Sequence, residues 1–198
     1  MTTIVPVPDS EVGKSATALI RGIAPEWLVQ HSFRTYRFGL ALLERVGQHP
    51  DTELLFVASM LHDAGLGTVL DDGVTPFHLR TAAIAASLML GHDRSVDDAS
   101  IVYDAIAMHL ELTTADDPRP EVAGVHLGAI ADVVGVRVDE IPRATLEAIL
   151  FEHPRLDMKT RLTQLLRVEL EQKPYCAIAR LHRDLAILDR IRDAPFDE

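Results

Sequence analysis

Apolar residues recur at helical intervals along almost all of this chain, and that periodicity restricts its fold more than any other feature. Period-two alternation is scarce, and Val and Ile are scattered through segments rich in Ala, Leu, Glu and Arg. Leu28, Tyr36, Leu40, Leu43 and Val46 fall at about the 3.6-residue spacing of one helix face. Gly47 closes that segment, and Asp51, with Glu53 in the following turn, opens the next as an N-cap. The pattern predicts helices over residues 10–21, 25–47, 51–63, 78–90, 95–109, 121–134, 142–151, 154–172 and 174–191. With 198 residues, 47% of them apolar, the chain can bury one sizeable core. The expectation is an all-α fold: a single compact multi-helix domain over residues 13–198, preceded by an irregular arm over 1–12 that carries Pro6 and Pro8. About seven to nine helices are expected from ordinary helix lengths.

Composition removes several function classes. A net charge of −11 opposes nucleic-acid binding. No stretch is long and apolar enough to cross a bilayer, and the segment 130–138 is interrupted by Asp132 and Arg137. One cysteine, Cys176, cannot form an internal disulfide and reads as a small buried hydrophobe. With no leader-like pattern at residues 1–6, a reducing, cytoplasmic setting is expected. The expected partner is a small-molecule substrate, with homo-oligomerisation through an apolar stripe left open.

The chemistry concentrates in His31 and in the adjacent pair His62-Asp63. Two imidazoles and a carboxylate form a ligand set for a divalent metal with open positions. Consecutive residues on a helix diverge by about 100°, so His62 and Asp63 can share an ion only where the helix loosens before Gly65. His31 must then come from a neighbouring helix. Asp132, flanked by apolar and small residues, is expected to be buried and is the best candidate for a fourth ligand. The competing reading is a hydrogen-bonded polar cluster that stabilises helix packing.

The residues around these positions resemble the HD-domain superfamily, and within it the cyanamide-hydratase-like branch. The shared pieces run in order: His31-Ser32-Phe33-Arg34-Thr35-Tyr36-Arg37-Phe38-Gly39, Leu61-His62-Asp63-Ala64-Gly65-Leu66, Ala105-Ile106-Ala107-Met108-His109, Asp132-Val133-Val134-Gly135 and Lys173-Pro174. The similarity spans roughly residues 27–180. It implies an all-helical, metal-dependent enzyme with His31, His62, Asp63 and Asp132 as ligands. It also implies one divalent ion, zinc first, with iron, manganese, nickel or cobalt also suited to the donors. In that branch water adds across the carbon–nitrogen triple bond of cyanamide to give urea. One departure is Phe77-His78, where the branch commonly has Phe-Glu.

Beyond the ligands, His109 is a candidate acid/base or second-metal ligand, or a histidine satisfied by carbonyls at a helix end. His78 is a candidate of the same kind, or simply the first residue of its helix. Arg34, three residues after His31, is expected to hold a carboxylate ligand, to touch an anionic substrate, or to order a helix contact. Four readings follow. The first is a metal-dependent hydratase or hydrolase acting on a small polar C–N compound such as cyanamide or a nitrile. The second is a phosphohydrolase, for which Arg34 and Arg80 are the only nearby basic candidates. A di-iron oxygenase would recruit His78 and His109. A non-enzymatic helical module would carry a vestigial site.

Overall fold

Polar side chains set three of the helix starts. In a computed structural model, which describes residues 6–198, Ser10 accepts from the Gly13 amide to open α1 (Glu11–Ile23). Asp51 accepts from the amides of Glu53 and Leu54 to open α3 (Thr52–Leu61), and Ser95 caps α5 (Val96–Ala107) through the Asp98 amide. Such caps satisfy amides that have no partner within the helix. Between them lie α2 (Glu26–Arg45) and α4 (Phe77–Gly91). After α5 come α6 (Pro120–Val134), α7 (Arg143–Glu152), α8 (Met158–Gln172), α9 (Ala177–Leu185) and α10 (Ile187–Arg192). Short 3-10 turns occupy Leu112–Asp116 and Val138–Glu140. The fold is all-α, as its periodicity requires, and no described helix is long and apolar enough to cross a membrane.

Ten α-helices form among the described residues. The expected helix over 174–191 is two, because Ala186 takes a left-handed conformation at φ 50°. That break turns Ile178 and Leu181 of α9, and Leu188 and Ile191 of α10, into one buried cluster. The expected helix over 154–172 begins four residues later, since Leu156 and Asp157 both have positive φ. Of the expected arm over 1–12, residues 1–5 lie outside the described residues, residues 6–9 carry no regular structure, and α1 already includes Glu11 and Val12.

The core has two parts. The larger is built mainly from α1 to α6 and contains Phe38, Leu42, Phe56 and Met60. The smaller gathers Trp27, Leu28 and Phe77 against Met158, Leu162 and Leu166 of α8 and the apolar faces of α9 and α10. Helices α2 and α6 meet almost backbone to backbone. A Cβ on Gly128 would overlap the Thr35 carbonyl, and one on Gly39 would overlap the Gly124 carbonyl. This contact brings His31 of α2 against Asp132 of α6.

Candidate metal centre

His62 follows directly on the last residue of α3, where the helix gives way to turns through Gly67. The Nδ1 of its ring lies 2.7 Å from the Ser59 carbonyl oxygen. A carbonyl only accepts, so Nδ1 carries the hydrogen and Nε2 is left as a bare lone pair. His31 Nδ1 lies 2.7 Å from Asp132 Oδ2, which likewise fixes the hydrogen there and turns Nε2 inward. The two Nε2 atoms face each other at 3.1 Å. Asp63 Oδ2 completes the group at 3.4 Å from His31 Nε2 and 3.5 Å from His62 Nε2. All three residues are buried.

Two lone pairs and a carboxylate oxygen at these distances repel unless a cation lies among them. Burial lowers the proton affinity of His31, but hydrogen bonds to Asp132 and Asp63 outweigh it and raise its pKa. A proton there settles one lone pair; a divalent metal serves all three donors. Donors about 2.0–2.2 Å from a tetrahedral ion lie roughly 3.3–3.6 Å apart; the two Asp63 separations fall in that range, and the 3.1 Å between the Nε2 atoms is slightly shorter. Burial, with His31 and His109 nearby, pushes the His62 pKa down to about 3, so its ring stays neutral as a ligand must. Despite its burial, Asp63 is held well below the carboxylate range by His62, His109 and His31. Its second oxygen, Oδ1, is buried without a hydrogen-bond partner. Among the described residues, His31, His62 and Asp63 form the one cluster with donors placed to share an ion.

The structure puts the fourth expected ligand elsewhere. Asp132 is completely buried and meets the cluster through His31 Nδ1, not by facing the point where the three donors converge. Its Oδ1 accepts from Arg34 Nε at 2.8 Å and from Arg155 Nη1 at 2.7 Å. Burial alone would raise this carboxyl; Arg34, His31 and Arg155 outweigh it and hold it ionised. Two guanidiniums thus match the Asp132 charge, and Asp63 alone offers negative charge to an ion. Arg34 is spent on this task. Its Nη1 donates to the carbonyls of His153 and Pro154, its Nη2 contacts Met158 Sδ, and it does not line the cavity beside the donors. Arg155 is itself secured by Glu198 at 3.0 Å and by the Phe196 ring, 4.3 Å from its guanidinium carbon.

His109, just beyond α5, donates Nδ1–H to the Ile106 carbonyl at 2.6 Å and directs Nε2 to within 3.4 Å of Asp63 Oδ1. His126 donates Nδ1–H to the His109 carbonyl at 2.7 Å. His78 is one step further out, its ring 6.0 Å from that of His109. Burial, reinforced by His109, pushes its pKa down to about 3, and its Nδ1 has no partner. A cavity of about 320 Å³ opens directly on His31, His62, Asp63 and His109. Apart from these residues, His126 and two arginines, its lining is apolar, drawn largely from α6, α8, α9 and α10.

An ordered His…His-Asp signature on an all-helical scaffold, its donors converging at the end of a cavity, agrees with the HD domain family model, which matches residues 28–191. The chain belongs to the HD domain family. As an HD domain it is also similar to two curated proteins of Saccharomyces cerevisiae, cyanamide hydratase DDI2 and cyanamide hydratase DDI3. Each is 25% identical over 193 residues, a match covering 92% of this chain and 83% of the relative.

Sequence reasoning left three participants of this HD site unassigned. Arg155 has no local pattern that marks it. His126 lies in α6 among buried apolar residues and looks like core. Lys173, quoted only as part of the resemblance, bonds Glu169 at 2.6 Å and Asp71 at 2.9 Å, while Glu169 also accepts from the Phe77 amide. That buried network ties α8 to the start of α4 and to the loop that follows His62-Asp63.

Proposed function

We propose that this HD domain is a metal-dependent hydratase that adds water to a carbon–nitrogen multiple bond, as in the conversion of cyanamide to urea. One observation carries the reading: two imidazole lone pairs and a carboxylate oxygen converge at 3.1–3.5 Å on the inner end of a cavity. A divalent ion, zinc first, suits this donor set and supplies an activated water at neutral pH together with polarisation of the substrate.

The chain's own residues do the rest. Asp132 and the Ser59 carbonyl fix the two ring tautomers and aim both Nε2 atoms inward. His109 Nε2, held by the Ile106 carbonyl, accepts a proton from the attacking water and returns it to the nitrogen that gains charge. The apolar walls limit competing water. The similarity to the two yeast proteins points to a C–N substrate.

The basic residues weigh against phosphoester chemistry. No Lys or Arg lies between Ala64 and Val69. Arg34 is committed to Asp132, Arg80 binds Asp71, Asp72 and the Gly65 carbonyl, and the two arginines of the cavity lining are engaged, Arg137 with Glu140 and Arg190 with the Leu185 carbonyl. Phosphate recognition needs guanidiniums aimed at the substrate.

The test is turnover of cyanamide and simple nitriles by chelated and by zinc-reconstituted protein, read as urea or amide formed, with a panel of nucleotides alongside. Metal-dependent hydration of a C–N compound is the expected outcome. Hydrolysis of nucleotides in its place, or equal rates with and without metal, overturns the reading.

A further inference from the structure

The cavity is far larger than cyanamide and of the opposite character. Cyanamide has three non-hydrogen atoms and a polar group at each end, and on a scale of ~30 Å³ per water it needs roughly 60–90 Å³. The cavity offers about 320 Å³. Its polar groups are concentrated at the inner end, in His31, His62, Asp63, His109 and His126. Outward from them the lining is apolar apart from Arg137 and Arg190, with Val133, Leu162, Leu166, Ile178 and Leu181 among its residues. It reaches the surface near Leu112, which is 60% exposed.

Water is a poor occupant of such a space. About ten molecules would fit at ~30 Å³ each, and most would find no hydrogen-bonding wall. The chain nevertheless builds it deliberately: the break at Ala186 directs apolar residues of both α9 and α10 into the lining.

Resting on the hydratase reading for its reacting head group, we infer that the substrate carries an apolar body. A chain or ring of about six to ten carbons, at a volume per carbon near the ~30 Å³ of a water, fills the cavity while a nitrile group meets the donor cluster. The reaction is R–C≡N + H2O → R–C(=O)–NH2. The water oxygen bonds to the nitrile carbon, one carbon–nitrogen π bond opens onto nitrogen, and tautomerisation of the resulting imidic acid opens the second. Both water protons finish on nitrogen, one of them by way of His109, and no oxidant or reductant is consumed.

Each added methylene that enters an apolar site favours binding by about fourfold. The experiment has two arms on the full chain. One measures kcat/KM of zinc-reconstituted protein for cyanamide and for straight-chain nitriles from acetonitrile to decanenitrile. The other measures, by calorimetry, binding of straight-chain primary amides from acetamide to octanamide to the protein as purified. Both series are expected to rise about fourfold per methylene and then level off when the cavity is full. Leu185→Trp, on the outer lining, is expected to bring that plateau to a shorter chain. A flat amide series with cyanamide or acetonitrile as the best substrate overturns the inference and leaves C–N hydration standing. Amide affinity that climbs with length while no nitrile or cyanamide is hydrated supports the apolar occupant and removes the hydratase reading.

Discussion

Asp132 shows how much of this site depends on residues that do not face the cavity. Its carboxylate joins His31 Nδ1 to two guanidiniums, so the orientation of one metal donor is set by a buried cluster of alternating charge. Replacing it by Asn keeps the shape, removes the charge, and leaves Arg34 and Arg155 buried against a neutral amide. Metal affinity should fall about 10–100-fold, as for other residues that orient a ligand from behind. Stability should fall by about 3–5 kcal/mol, the cost of stranding a buried charge. Zinc titration and urea denaturation of the Asn variant read the two effects, and wild-type affinity would show that the carboxylate does not govern His31. His109→Gln makes the complementary case. Metal binding should persist, because His109 lies outside the three-donor cluster, while kcat should drop about 10²–10⁴-fold with loss of the proton carrier. An unchanged kcat would pass the proton-carrying role to another group. The three donors were legible in the sequence because His31, His62-Asp63 and the segments around them together follow the ordered pattern of the family they resemble. Of the arrangement behind them, Arg34 holding a carboxylate was among the expected roles, whereas Arg155 reaching across from the segment before α8 is a contact no local pattern encodes.

Among the elements, the contact between α2 and α6 and the tether between α4 and α8 hold the site in register. Gly128 lets the α6 backbone approach the Thr35 carbonyl, so Gly128→Ala must push the helices apart. Overpacking of this kind costs about 1–3 kcal/mol or more. Here it should also weaken metal binding, because His31 and Asp132 stand on the two separated helices; retention of both wild-type Tm and metal affinity would refute the tight contact. The tether centres on Lys173, which bridges Glu169 and Asp71. Burial works against the Lys173 charge, but Glu169 and Asp71 raise its pKa; Lys173 in turn outweighs burial at Asp71 and lowers that carboxyl's pKa. The raised lysine contributes stability that is complete below its unfolded pKa near 10.4 and is lost as pH rises through the folded value. The depressed aspartate contributes above about pH 3.9 and is lost as pH falls through its folded value. Lys173→Met should therefore cost about 3–5 kcal/mol, nearly constant from pH 5 to 9, with the gap to wild type narrowing at both extremes. A gap that changed steadily across neutral pH would assign the stabilisation to other groups. Periodicity and caps located the helices through α7, usually within two residues of an end. They failed at Ala186, because Ala is the best helix former and the turn there is imposed by packing of α9 and α10 over the cavity.

At the scale of the molecule, the question is whether the fold makes the site or the metal makes the fold. The larger core is continuous from Val12 to Phe196 and contains none of the three donors, so its burial does not depend on an ion. The donors are fixed by groups that need no metal: the Ser59 carbonyl, the Asp132 carboxylate and the turn after α3. Stripping the metal should therefore leave the helical circular dichroism unchanged. It should still lower Tm, because a ligand bound only by the folded chain stabilises it by about 2.7 kcal/mol at a hundred times its Kd. For a chain of this length that corresponds to about 5–10 °C. The shift should vanish in His62→Ala, which removes a donor but none of the hydrogen bonds that hold α2 to α6. Loss of helical signal on chelation would place the metal among the determinants of the fold, as in small domains that fold only around their ions. Equal Tm values with and without zinc would instead mean that the three converging donors bind no ion tightly enough to matter.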